Sequence, residues 1–543
     1  MLLFALCAGP AIAQDFEWAD RAGNGGRVVP RGVAVDAQGN SYATGTFAGT
    51  VEFGGISLES NGGQDIFLVK YDPAGNAIWA QNWGSQFDDW TNAVAVDHAG
   101  NVYVTGSYQH IAAFGSASLN AAGTYGTNGF LVKVTPSGGV VSAIDLRGSS
   151  TEGTSVAVDA ENNVYVGGMF KETLDLGGGG MILQGVNALY DGFVIKISAG
   201  GGYQWSRKFG GASNDAAWRV AVDSDQNVLV RGAFGGTVNF DPAGGQFTVT
   251  AQGSNDNYLI KLGPSGGFLW GAVQGIANWL PNTNLIGDVA TDAQGNVYTA
   301  GGFFGTVDFD PGPGTYELTA SSYRDIYICK LGPAGNFIWA RNIGEHPPVP
   351  SGSRHQVAHG MALDSAANVY ITGSFRGTVD FDPGPGVHNI TQASTLTDPF
   401  VARYSTDGDF VWASAFHSTN IAIGYSVAVD NSGNVFTAGE FKGTADFDPG
   451  PDSFMLSSET PNSNDFFLVK LSQSPTVGIT EAAHRAGLVA HPNPTNGEVT
   501  IAAGQRIEAI VVRNALGQEL DRHDHVPGNT RTITLPAKPG VYI

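Results

Sequence analysis

Three pairs of carboxylates stand two residues apart in near-identical surroundings: Asp308 with Asp310, Asp380 with Asp382, and Asp446 with Asp448. Each pair lies in a Thr-x-Asp-Phe-Asp-Pro-Gly-Pro stretch beginning at Thr306, Thr378 or Thr444, and a looser copy begins at Thr237. Alternate residues of an extended chain point the same way, so both acids face one side while Val307 and Phe309 face the other. Two carboxylates beside the carbonyls of a Pro-Gly turn are oxygen ligands of the kind calcium takes, and calcium is the one cofactor this pattern suggests. The alternative is a solvated hairpin whose acids meet water. The pair decays to Glu52 with Gly54 and Asp175 with Gly177 elsewhere.

A second group mixes indole rings with acids and amides. Asp88, Asp89 and Trp90 follow Phe87; Asp215 precedes Trp218 by three residues; Trp279 follows Asn278. Such residues can stack on and hydrogen-bond a sugar or a peptide, which makes Asp88, Asp89, Trp90, Asp215, Trp218 and Trp279 candidate ligand-binding residues. The alternative is that these indoles pack between repeated units. No His-Glu-x-x-His or phosphate-binding loop occurs, and no catalytic residue is assigned. His355 and His359 have a four-residue spacing that would share a helix face, but Pro347, Pro348 and Pro350 precede them and a strand-like run follows, which argues against a metal pair.

The elements that must position these groups are legible as repeats. A strand-like x-Ala-x-Asp tetrapeptide ends at Asp36, Asp97, Asp159, Asp223, Asp292, Asp364 and Asp430, spaced by 61, 62, 64, 69, 72 and 66 residues. After each comes a turn such as Asp36-Ala37-Gln38-Gly39-Asn40 and a second apolar run. Gly and Asn tolerate left-handed backbone and the Asp can accept N–H groups across the turn, so the segment predicts a β-hairpin. A third run recurs seven times, from Phe67-Leu68-Val69-Lys70 to Phe467 to Lys470. A fourth follows a second tight turn, as in Ala77-Ile78-Trp79-Ala80 after Asp72-Pro73-Ala74-Gly75-Asn76, with counterparts around Val141, Trp205, Trp270, Trp339 and Trp412. That is six copies. The seventh is displaced to the start, where Phe16-Glu17-Trp18-Ala19 matches Phe337-Ile338-Trp339-Ala340. A four-stranded unit repeated seven times with one strand moved from end to start predicts an all-β, seven-bladed β-propeller closed by its N-terminal strand. The tight turns share one face of the disc and the long connections share the other, where binding residues tend to sit.

These pieces resemble the SBBP-type β-propeller repeats of secreted bacterial proteins, with a looser similarity to NHL repeats. The resemblance runs from about Phe16 to Leu471 and is specific for fold rather than activity.

Composition bounds the partners. The chain has 543 residues, 77 of them glycine, with 42% hydrophobic and 10% aromatic residues, enough to bury a large core. Its 49 acids against 27 bases give a formal charge of −22, which repels a phosphate backbone and excludes nucleic acid as a partner. No apolar run reaches the 18 residues of a spanning helix, so no transmembrane segment is expected. Residues 1–13 read as a signal peptide, with Leu2 to Leu6 as hydrophobic core and Ala11-Ile12-Ala13 as the cleavage signal. The absence of Lys or Arg before that core suggests a mis-set start codon or a clipped end, and a buried first strand is the alternative. Cleavage there leaves Cys329 as the one cysteine, placed in an apolar run where it reads as a small buried hydrophobe.

The propeller is assigned to residues 14–475. After Pro475 the repeat stops, and residues 476–543 bring His491-Pro492-Asn493-Pro494-Thr495-Asn496-Gly497, then short strand-like runs near Val499, Ala509 and Asn514, and Gly540-Val541-Tyr542-Ile543 at the end. This segment resembles the type A C-terminal sorting domain of the type IX secretion system of Bacteroidota, a small β-sandwich, here expected to lack its final strand. The resemblance implies the type IX secretion machinery as a partner, passage through the periplasm, and a secreted or outer-membrane-surface destination. The expected role is a non-enzymatic binding or adhesion module for an extracellular glycan or protein ligand. The runner-up is an extracellular enzyme acting on glycan or peptide at the long-loop face, with acids at the channel mouth as general acid and base.

Overall fold

The computed structural model describes residues 11–23, 26–121, 126–176, 182–241, 245, 247–274, 287–321, 323–345, 356–394, 396–476, 489–491, 498–502, 509–513, 519–524 and 530–534. Two compact units are present, one spanning Phe16–Leu471 and one containing the strands that follow Ser472.

In the first unit the repeats form antiparallel sheets of four strands, each ordered inner, second, third, outer. Blade 1 comprises Val28–Val35, Ser41–Phe53, Ile56–Tyr71 and Ala77–Trp83. Six more sheets follow the same plan, the inner strands being Trp90–Val96, the second half of Val140–Val158, Ala216–Val222, Val289–Thr291, Val357–Leu363 and Ala422–Val429. Each inner strand packs on the next, and Ala422–Val429 packs back on Val28–Val35, so the described sheets close into a ring of seven. The molecule is an all-β propeller. Between blades 2 and 3 the expected loop is missing, because the outer strand of blade 2 continues directly as the inner strand of blade 3 within Val140–Val158.

The N-terminal strand Ala11–Ala22 pairs with Asp465–Thr476 and is the outer strand of blade 7. Its Trp18 does for this blade what the outer-strand tryptophans do for others. The indole N–H groups of Trp79, Trp205, Trp270 and Trp339 donate to the turn carbonyls of Pro136, Pro264, Pro333 and Thr406 in the following blade, at 2.8–3.3 Å. Trp18 donates to Pro73 of blade 1 at 3.1 Å. The core consists of apolar layers between adjacent blades, as where Tyr298, Ile326 and Ile328 of blade 5 meet Val369, Ile371 and Phe400 of blade 6. Cys329 lies in such a layer, 1% exposed.

The turn after each inner strand is tied by its aspartate. Asp36 Oδ1 accepts the N–H groups of Gln38 and Asn40, while Oδ2 accepts Asn40 Nδ2 and the Tyr42 hydroxyl. The lysine closing the third strand adds its charge: Lys261 Nζ lies 2.8 Å from Asp223 Oδ2. The Pro-Gly hairpins sit in the connections between second and third strands and drop Val307 and Phe309 onto the blade, where Phe309 meets Tyr327 at 4.8 Å.

The second unit contains a three-stranded sheet of Val489–His491, Glu498–Ala502 and Thr530–Thr534, and a hairpin of Ala509–Arg513 with Glu519–Asp524.

Candidate ligand site in the central channel

Six inner strands are interrupted at one place. The pairing with the second strand skips Arg31, Asn92, Thr154, Trp218, His359 and Tyr425, each five residues before the turn aspartate. The same position in blade 5 is Gly287. A bulged residue leaves the ladder and its side chain is aimed anew. The bulge is accommodated by glycine on the partner strand: a Cβ on Gly45, Gly106, Gly168, Gly232, Gly373 or Gly439 would strike the carbonyl two residues before the bulge.

The bulged side chains meet near the axis. The Arg31 guanidinium lies over the Tyr425 ring, 5.7 Å from its centroid, and the His359 ring packs against the same tyrosine at 5.6 Å. The Tyr425 hydroxyl donates to Glu440 Oε1 at 2.8 Å, and Asn464 Nδ2 donates to Glu440 Oε2 at 2.7 Å. Across the channel Asn92 Nδ2 donates to Glu152 Oε1 at 2.8 Å and to the Gly153 carbonyl at 2.9 Å. Arg219 Nε lies 3.6 Å from Asp288 Oδ1, whose Oδ2 accepts the Met361 N–H at 3.2 Å. Thr154 turns away and donates to Gly167 or Ala217 carbonyls between blades. Trp218 packs on the cluster of Ala233 from blade 4 and Val357 from blade 6, beside Phe304 of blade 5.

The electrostatics follow from this enclosure. Burial pushes His359 down to about 4, and the guanidinium groups of Arg219, Arg324 and Arg31 add to the effect, so the ring is neutral at pH 7. Burial raises Glu152, against the pull of Asn92 and Arg31. The channel carboxylates Glu152, Asp288 and Glu440 are each engaged by a neighbour, and among the described residues no group of three or more His, Cys, Asp or Glu side chains could hold a metal ion. The arrangement is chemically suited to hydrogen bonding and ring stacking.

The other sequence candidates stand apart from this cluster. Asp88 accepts the Gln64 N–H at 2.9 Å; Asp89 accepts Ser85 and Gln109 N–H groups at 2.5 and 2.8 Å; Asp215 accepts those of Gly211 and Gly235 at 2.8 and 3.0 Å. These acids staple the loop entering an inner strand to the connection beyond the second strand. Trp90 is half-buried, and Trp279 and His355 lie outside the described residues. In the Pro-Gly hairpins the acids face away from the blade, as alternation requires. Asp308 Oδ1 accepts Asp310 and Tyr316 N–H groups at 3.0 and 2.8 Å, and Asp310 Oδ1 accepts that of Gly312 at 2.8 Å. Asp380 with Asp382 and Asp446 with Asp448 repeat the pattern. Gly263-Pro264-Ser265-Gly266-Gly267 has nucleophile-elbow spacing, but it is the tight turn before an outer strand, closed by Gly266 N–H to Gly263 at 2.8 Å.

Two features escaped the sequence reading. The bulge residues Arg31, Asn92 and Tyr425 did, and so did an aspartate two residues before the aromatic of six third runs: Asp65, Asp191, Asp256, Asp325, Asp398 and Asp465, all 0–1% exposed. Asp65 and Asp89 face each other around Gly84. Burial above all raises them to about 7 and about 6, the Asp89 charge contributing to the rise of Asp65.

No family model matches the chain. It is 26% identical over 453 residues to an uncharacterized WD repeat-containing protein of Acanthamoeba polyphaga mimivirus, covering 71% of this chain and 32% of that protein, so it spans about a third of that relative's length. Solved structures that overlay on it include the polysaccharide lyase Uly1, at 9% identity and TM-score 0.38, covering 84% of this chain and 99% of that one. Sqt1 from Chaetomium thermophilum overlays at 10% identity and TM-score 0.35, covering 86% and 100%. A Dyadobacter fermentans protein of unknown function overlays at 11% and 0.34, covering 70% and 93%. The repeat-containing relative agrees with the sheet topology in making this chain a repeat β-propeller.

Proposed function

We propose that the chain is a secreted or cell-surface propeller that binds an extracellular glycan or protein ligand without transforming it, and that its ligand enters the central channel. The observation that carries this reading is the ring of bulges. Six blades break their ladder at one level, and four of the released side chains, Arg31, Asn92, His359 and Tyr425, converge with Glu152 and Glu440. Broken ladder bonds cost stability, and a ligand-facing surface is the gain that explains keeping them. Support for binding over catalysis comes from the engagement of Glu152, Asp288 and Glu440 by Asn92, Arg219 and Tyr425 respectively. The resemblance of residues 476–543 to type IX sorting domains supports export through the periplasm to the surface or medium.

Two experiments test the reading. A glycan and peptide array probed with the full chain, with and without calcium, should give a ligand that Tyr425→Ala and His359→Ala weaken. Turnover of that ligand would establish the enzyme instead. Fractionation of a type IX-competent host should find the full chain outside the cell and a form ending at residue 475 in the periplasm. Surface delivery of the shortened form would overturn the export assignment.

A further inference from the structure

Arg31 is a channel cation that no carboxylate among the described residues pairs at contact distance. A guanidinium carries five N–H donors in a rigid plane, and buried or enclosed donors ordinarily find acceptors. Among the described residues Arg31 makes no hydrogen bond or ion pair; its one close partner is the face of Tyr425. A contact of this kind engages one side of the guanidinium and supplies no acceptor for its N–H donors. The tyrosine is itself fixed, by its hydroxyl bond to Glu440 and by the His359 ring. Arg219, by contrast, has Asp288 at 3.6 Å.

The position of Arg31 is axial. Its charge is felt by Glu152 of blade 3, His359 of blade 6 and Tyr425 of blade 7, which a residue on the rim of blade 1 could not reach together. The bulge at Arg31 is what brings it there. Around it the wall offers the rings of Tyr425 and His359, the amide of Asn92 and the carboxylate of Glu440. None of the six bulged residues carries an aliphatic side chain, so the level suits a pyranose ring with hydroxyls better than the apolar anchors of a peptide.

We infer that the channel ligand is a saccharide bearing a uronate, whose carboxylate takes the N–H donors of Arg31 while its ring lies beside Tyr425. A fork of parallel N–H donors matches a carboxylate bidentately, and a lysine ammonium does not. This rests on the channel being the binding site. The test is calorimetric titration of the full chain with trigalacturonate and with a glucuronate-containing disaccharide, against their methyl esters and a triglutamate peptide. At least one acidic saccharide should bind. Its methyl ester should bind about tenfold or more weakly, as should the acid to Arg31→Gln, with Arg31→Lys recovering only part of the loss. Both variants should melt with the parent, since Arg31 makes no bond that the fold uses.

Equal binding of the methyl ester, full affinity in Arg31→Gln, preference for triglutamate, or no binding of either acidic saccharide would overturn the inference. The channel reading survives those results if an array ligand still depends on Tyr425 and His359. It falls with the inference if no ligand responds to any bulge substitution.

Discussion

Ala367 holds φ at +61° in the turn after the inner strand of blade 6, at the place where Gly39, Gly100, Gly295 and Gly433 hold +77° to +83°. A Cβ makes that left-handed region costly, and asparagine or glycine is its ordinary tenant. Asn162 meets the need in blade 3, whereas Gln226 and Ala367 carry strain. Ala367→Gly should therefore raise stability by about 0.5–1 kcal/mol in urea titration, even though it removes a buried methyl group. A loss of stability would show that packing of that methyl outweighs the backbone. Titration acts at the same scale. Asp65 and Asp89 are raised in the folded chain, so the folded state binds more protons than the unfolded one between about pH 4 and about pH 7. Their contribution is present below pH 4 and is lost as pH rises through about 7. His359 is depressed to about 4, so its contribution is present above its unfolded value near 6.5 and is lost as pH falls. Asp65→Asn should flatten the alkaline loss in a melting-temperature series from pH 5 to 8, and His359→Gln the acidic one. An unchanged alkaline slope in Asp65→Asn would show that the pair does not share a proton-sensitive site.

Among the elements, the Pro-Gly hairpins show how one pattern serves two readings. Val307 and Phe309 are 4% and 2% exposed while the acids between them face outward, as alternation predicts. Yet Asp308 Oδ1 already accepts two N–H groups that shape the hairpin, and so do Asp380 and Asp446. Asp308→Ala should cost about 1 kcal/mol per hairpin through those lost bonds, and EDTA should leave the melting temperature of the parent in place. A drop with EDTA that calcium reverses would show instead that the three pairs hold the ion. Repeated runs made the blades legible because each strand's role recurs with its residue types: turn aspartate, third-strand lysine, outer-strand tryptophan. The bulge ring was harder to see. Arginine, asparagine, threonine, tryptophan, glycine, histidine and tyrosine share no chemistry, and the constant feature lies on the partner strand, in a glycine nine residues after every turn aspartate, from Gly45 to Gly439. The buried acids before the third strands were masked for the opposite reason, since a polar residue at a strand entrance reads as loop until its backbone acceptors are seen. Asp65, for example, takes the Asn61 N–H at 2.5 Å.

Closure governs the whole molecule. A ring of sheets has no stable opening: if one blade lacks its outer strand, the third strand presents unpaired backbone groups to solvent and to other chains. Blade 7 obtains that strand from the other end of the chain, and the join is more than a ladder. Arg21 Nη1 lies 2.6 Å from Asp465 Oδ2, and Asp465 is 0% exposed. Trp18 spans to Pro73 of blade 1, and Val28 N–H donates to the Asn464 carbonyl at 2.8 Å. Deleting residues 14–22 removes the first two of these and leaves Asp465 without its guanidinium, the situation in which a buried charge costs about 3–5 kcal/mol. The deletion should lower the melting temperature sharply and drive association through the edge at Asp465–Thr476. Arg21→Ala isolates the ion pair and should give a smaller loss in a chain that stays monomeric, because the strand still covers the edge. Sedimentation together with thermal melts separates the two effects. A deletion that melts with the parent and remains monomeric would mean that the ring is held by its inner strands alone, with the N-terminal strand an ornament on a propeller closed without it.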